Sequence, residues 1–159
     1  MVQLVPMTEE QLDAFLAQAI PEYAADQVRA GNWAPERALD TARGVFAQLL
    51  PRGTATRDHY LFSIWDEDRG VAVGSLWFGV LQEAGKRQAF VYDVRIAEAF
   101  RHQGYGTRAF RLMEERVRAL GLDRIGLHVF AHNHVARAMY EKLGYETTNL
   151  VMYKQLEGP

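Results

Sequence analysis

The chain of 159 residues contains no cysteine. That absence excludes a disulfide framework, a thiolate metal centre and a thiol nucleophile. Long apolar runs are missing too. Nothing approaches the roughly 20 residues of a membrane span, and "MVQLVPMTEEQ" has no basic-then-apolar leader pattern. A cytoplasmic location with no membrane partner is the expectation. Excess positive charge is also lacking: the net charge of −2 gives no global support for a nucleic-acid partner. The charge is unevenly spread, however. Residues 1–100 carry 9 Lys and Arg against 14 Asp and Glu, whereas residues 101–159 carry 9 against 6. An acidic front and a basic back suit a site that meets a cation on one side and an anion on the other.

The length is that of one domain, and no repeat, low-complexity tract or linker divides it, so 1–159 is read as a single unit. "MTEEQLDAFLAQAI" predicts a helix with Thr8 as N-cap and Gln11 in a capping box. Pro21 is expected to interrupt it, with "EYAADQVRAG" as a second piece. "APERALDTARGVFAQLLPRG" predicts a third helix, with Pro35 in its first turn and Leu39, Val45 and Leu49 among its apolar positions. β-Branched and aromatic runs flank "DEDRG" as in a hairpin, and "AFVYDVRI" follows as another strand. Ala109, Leu112, Met113, Val117 and Leu120 then form the core stripe of a long helix. "RIGLHVF" reads as a strand, "HVARAMYEKLG" as a helix and "TTNLVMYKQL" as a final strand. The order predicts an α/β (α+β) sheet with helices against its faces.

"RHQGYG" opens the long helix, where several N–H groups lack intrahelical partners and the helix dipole adds partial positive charge. Gly104 and Gly106 would let phosphate oxygens approach those N–H groups, and Arg101 would add a charge. No Gly-Lys-Ser/Thr follows, and the spacing departs from G-x-G-x-x-G, so neither common nucleotide loop fits. From these residues alone, a plain turn and an anion cradle both remain open.

The C-terminal half resembles the GNAT superfamily of acetyl-CoA-dependent N-acetyltransferases. Arg101, Gly104 and Gly106 match the family's R/Q-x-x-G-x-G/A loop. Asn133, Ala136, Tyr140, Gly144 and Tyr145 match its N-x-x-A-x-x-x-Y-x-x-x-G-Y signature. The resemblance covers about residues 88–156, while the helices of about 8–50 suit the family's acceptor side. "LHVFAHN" and "LLPRG" resemble a bacterial group within the family. The resemblance implies a mixed, bent sheet whose strands at Val94 and His128 splay apart, with helices on both faces. It also implies that acetyl-CoA is the cosubstrate. Its pantetheine arm would bond backbone near Val94 and Ile96, and its diphosphate would rest on Arg101, His102, Gln103, Gly104, Tyr105, Gly106 and Thr107. Asn133, Ala136 and Tyr140 would border the arm. A homodimer is a further expectation, since relatives often pair.

With no cysteine, direct attack by an amine in a ternary complex is the simpler mechanism. Tyr140 is the candidate acid: a phenol and a thiol have reference pKa values of about 10 and about 8.5, close enough for proton transfer. Asp93 is the candidate base, with His128 or a water as alternatives. Period-2 alternation leaves open whether Tyr92 or Asp93 faces the cleft. His128, His132 and His134 lack a carboxylate cluster, so no metal is expected. Trp33, Tyr60, Trp65, Trp77 and Phe78 are available to line the acceptor side. Glu22, Asp26, Glu36 and Asp40 would attract a cationic amine, whether a small molecule or a peptide or protein amine. The alternative function is a CoA-binding sensor or interaction module without transfer chemistry.

Overall fold

A computed structural model describes residues 1–158. Five strands form one sheet in sequence order: β1 (Val2–Pro6), β2 (His59–Asp66), β3 (Val71–Glu83), β4 (Lys86–Ile96) and β5 (Ile125–Leu127). The first four pair antiparallel, and β5 joins β4 in parallel. Helices α1 (Glu9–Arg29) and α2 (Pro35–Leu49) precede β2, α3 (Tyr105–Ala119) bridges β4 to β5, and α4 (His134–Lys142) follows β5.

Side-chain alternation along the strands builds two cores. Phe62, Ile64, Leu76, Phe78 and Val91 meet Phe110, Met113 and Val117 of α3, with Met139 and Tyr140 of α4 at the margin. Leu61 and Trp77 point the other way, against Leu12, Phe15 and Ala19 of α1 and Phe46 of α2. Helices therefore cover both faces of a mixed sheet, as the resemblance implied.

The Thr8 capping box forms as expected, but Pro21 does not divide the first helix, which runs unbroken to Arg29. A proline removes one backbone donor; apolar burial on either side, at Leu12, Phe15, Ala19 and Ala24, holds the helix across the gap. In α2 the buried stripe is Ala38, Ala42 and Phe46, and Leu39 stays 39% exposed. In α3 Phe110 takes the inward place, and Leu120 is the exposed C-cap. β1 was not expected; it places Val2 and Leu4 in the larger core. The predicted strand "TTNLVMYKQL" does not form: residues 145–158 hold no regular element.

Asp66 ends β2 inside the protein. Its carboxylate accepts the N–H groups of Asp68 and Arg69 and the hydroxyl of buried Tyr105. The hairpin turn is thereby tied to the first residue of α3.

Candidate functional site

β4 and β5 stay paired only from Ala89–Ile125 to Val91–Leu127. Beyond Val91 the strand runs on to Ile96 with β3 alone beside it. Ala97 N–H bonds Val73 C=O at 2.9 Å. By the alternation of an antiparallel ladder, the N–H and C=O of Ile96 and of Val94 therefore point away from β3, into the opening.

The β3–β4 register decides the Tyr92/Asp93 ambiguity. Trp77 pairs with Asp93 and Phe78 with Val91, so Tyr92 is the extra residue of a β-bulge. Asp93 and Tyr92 consequently share the face of Trp77, on which Tyr92 stacks with centroids 4.7 Å apart. Both line a cavity of about 410 Å³ between α1, α2 and the diverging strands. Its walls include Tyr23, Phe46, Trp77 and Phe130, with Glu22 and Asp26 on the α1 side and Asn133 and Tyr140 from α4.

Asp93 and Arg95 lie 3.5 Å apart, and Arg95 also pairs with Glu22. Asp93 Oδ2 and Arg95 Nε are nevertheless buried without a partner. Burial pushes the Asp93 carboxyl above its ordinary pKa, and Arg95 only partly opposes that shift. Burial, reinforced by the negative charge of Asp93, pushes the Tyr140 phenol up to about 12. The cavity thus brings together a carboxylate with raised proton affinity and a phenol that holds its proton.

The loop after β4 supplies the second half. Gly104 is the N-cap of α3 at φ +80°, and the first helical bond runs from Arg108 N–H to Gly104 C=O. Among the described residues, no hydrogen bond uses the N–H groups of residues 102–107. The two glycines serve different ends. Gly104 supplies the left-handed backbone, with ample room around a notional Cβ. Gly106 lets α4 approach, because a Cβ there would meet Met139 Sδ at 2.8 Å. Gly104→Ala should cost about 1–2 kcal/mol through backbone strain alone. Chemical denaturation would show that loss.

Several expected residues play narrower parts. Arg101 turns back, its Nε donating to Ile96 C=O at 3.1 Å. The Tyr105 side chain is core, so only its backbone belongs to the loop. Asn133 is exposed and caps α4, accepting from Ala136 N–H at 3.2 Å. His102 and Gln103 are exposed, and Gln103 bonds Ala99 C=O. His128 lines the cavity, whereas His132 pairs with Asp26 at 2.9 Å. Glu36 and Asp40 are exposed and do not line it. Tyr60 and Phe78 belong to the opposite core, and Trp33 packs on Tyr23.

Sequence reasoning missed Tyr23, Phe46, Phe130 and Arg108. Arg108 follows the loop by one helical turn and donates to Gln103 C=O at 2.7 Å. Its i+4 spacing from Gly104 was the available signal.

Both the sequence and the fold of this chain have known counterparts. The chain belongs to the acetyltransferase (GNAT) family, whose model matches residues 20–145. It is 37% identical over 155 residues to the uncharacterized N-acetyltransferase YycN of Bacillus subtilis, covering 98% of this chain and 99% of that one. The uncharacterized N-acetyltransferase YdgE of the same organism is 35% identical over 153 residues, covering 96% and 97% of the two chains. The crystal structure of YycN superposes with a TM-score of 0.92, covering 99% of this chain and 100% of that one. Fold and relatives together support acetyl transfer as the general activity.

Proposed function

We propose that the protein transfers the acetyl group of acetyl-CoA to a primary amine, by direct attack of the amine nitrogen in a ternary complex. The observation that carries this is the set of unpaired N–H groups from His102 to Thr107, at the end of the strand bearing Asp93. Acetyl-CoA, when bound, supplies the activated thioester. The residues present fit it. Free amides at a helix N-terminus suit a diphosphate, and the outward N–H and C=O of Val94 with the outward N–H of Ile96, whose C=O takes Arg101, suit a pantetheine amide. Arg108 adds positive charge at the loop, and Ala136 leaves space beside Asn133.

Asp93 Oδ2 is the free acceptor that takes the proton of an incoming ammonium. Tyr140 keeps a proton on its hydroxyl oxygen through the neutral range; as the C–S bond breaks it passes that proton to the departing thiolate and regains one from the nitrogen of the new C–N bond. Tyr23, Phe46, Trp77 and Phe130 exclude water from the nitrogen. Three carboxylates, Glu22, Asp26 and Asp93, stand against the one guanidinium of Arg95, so the cavity favours a cationic acceptor.

Thermal shift and thiol release test this together. At a hundredfold excess over Kd, acetyl-CoA and CoA should stabilise by about 2.7 kcal/mol. That corresponds to a Tm rise of roughly 5–10 °C for a domain of this size. Stabilisation should exceed that by ATP. Thiol release should appear with at least one amine of a broad panel. No stabilisation by CoA would end the proposal; stabilisation without release from any amine would leave a binding module.

A further inference from the structure

Three neighbouring strands each bring one ring to the face beneath α1 and α2: His59 from β2, Trp77 from β3 and Tyr92 from β4. Trp77 and Tyr92 line the acceptor cavity, whereas His59 stands behind them and does not. All three rings touch. Centroids lie 5.8 Å apart for His59 and Trp77, 5.3 Å for His59 and Tyr92 and 4.7 Å for Trp77 and Tyr92. Gly79 opposes His59 across the β2–β3 ladder and makes the contact with Tyr92 possible. A Cβ there would meet Tyr92 Cε2 at 2.8 Å and His59 Nδ1 at 3.2 Å.

Trp77 is 1% exposed, and its one polar group is the indole N–H. That group donates to His59 Nδ1 at 3.0 Å. An indole can only donate, so His59 must present a bare Nδ1 and carry its proton on Nε2. We infer that His59 is a positioning residue of the acceptor cavity: its neutral imidazole fixes the Trp77 indole, and with it the stacked Tyr92 ring beside Asp93. What that wall receives follows from the proposed acyl transfer; how it is held follows from the three rings. An imidazolium would turn a second N–H toward the indole and break the bond, leaving both rings free to shift. Burial lowers the proton affinity of His59, and the adjacent Asp58 only partly opposes that. Asp58 itself lies 3.9 Å from Arg57 and from Arg87 of β4. The Tyr92 phenol is pushed up by burial, and α1 and α2 place apolar Phe15 and Phe46 against Trp77. The wall is therefore intact through the neutral range and slackens in acid.

Indole N–H resonances of ¹⁵N-labelled protein test this directly. Three tryptophans give three signals, and Trp77→Phe assigns one of them. Between about pH 8 and 5, the Trp77 signal and its nuclear Overhauser contact with the Tyr92 ring should be lost with one midpoint, that of the His59 ring. His59→Asn keeps an acceptor oxygen at the Nδ1 position but does not titrate, so signal and contact should persist across the range. His59→Leu should lose both at every pH. For each amine of the panel that releases thiol, His59→Leu should raise KM about tenfold with a much smaller change in kcat, and His59→Asn should restore it. A Trp77 signal that ignores the titration of His59, or survives in His59→Leu, would overturn the inference, as would equal KM values in all three proteins. If His59→Leu does not fold, the titrations of native protein and His59→Asn decide alone. If no amine releases thiol, the acyl-transfer reading fails, while the indole signals still judge His59.

Discussion

Tyr140→Phe is expected to lower kcat by about 10²–10³-fold, the range for losing a positioned proton donor. Stabilisation by CoA should be nearly unchanged. The phenol touches Phe110, with centroids 5.4 Å apart, and that packing survives the substitution. An equal fall in kcat and kcat/KM would mark an interaction made only during transfer. The pH dependence gives a second readout. Because the folded phenol titrates near 12 rather than 10, the donor stays protonated throughout the range in which amines lose their proton. The native rate should therefore not decline between pH 8 and 10. The same shift is a stability term. The folded state holds the Tyr140 proton more tightly than the unfolded chain does. That stability is fully present below pH 10 and is lost as pH rises through about 12. The loss amounts to roughly 2–3 kcal/mol. Alkaline denaturation of Tyr140→Phe should be correspondingly flatter. Tyr145, also raised by burial, continues to contribute in both proteins. Full turnover in the variant at every pH would remove Tyr140 from the chemistry.

Gly74→Ala should have the largest effect on stability. A Cβ at Gly74 would sit 2.1 Å from the carbonyl oxygen of Arg95, and that oxygen belongs to a backbone that cannot swing aside. Relief requires β3 and β4 to part where Gly74 opposes Ile96 and Ser75 opposes Arg95. Overpacking of this kind typically costs 1–3 kcal/mol, and collision with backbone belongs at or above the upper end, about 3 kcal/mol or more. A Tm lower by roughly 6–12 °C would follow. The damage would reach the site as well, since Arg95 aligns Asp93 and Glu22. A variant with unchanged Tm would show that the close approach is not a property of the folded protein.

The helix entry at Gly104 and the α4 signature were legible because both are local. Positive φ, a cap and a three-to-four-residue period leave marks within a dozen residues. The splay of the sheet came through the resemblance, and the register bears it out. What stayed hidden depends on partners distant in sequence. β1 is five residues long and becomes a strand only because β2 lies beside it. Alternation could not orient Tyr92 and Asp93, because the extra residue is defined by pairing with Trp77 and Phe78. Tyr23, Phe46 and Phe130 converge from two helices and a loop, with no shared pattern to announce them. Pro21 misled in the opposite sense: a local breaker was overridden by burial of the helix on either side of it.

The bulge at Tyr92 also separates two design problems. Val91 and Val94 both look toward α3, while the two residues between them look toward α1 and α2. A regular strand would force one of those two into the larger core, so an ionisable group and an aromatic neighbour could not sit side by side. Here the residues that line the cavity can be changed without disturbing the packing beneath the long helix. Deleting Tyr92 would straighten the strand with Asp93 still opposite Trp77 and Val94 still opposite Leu76, so the carboxylate would keep its place and lose only its aromatic neighbour.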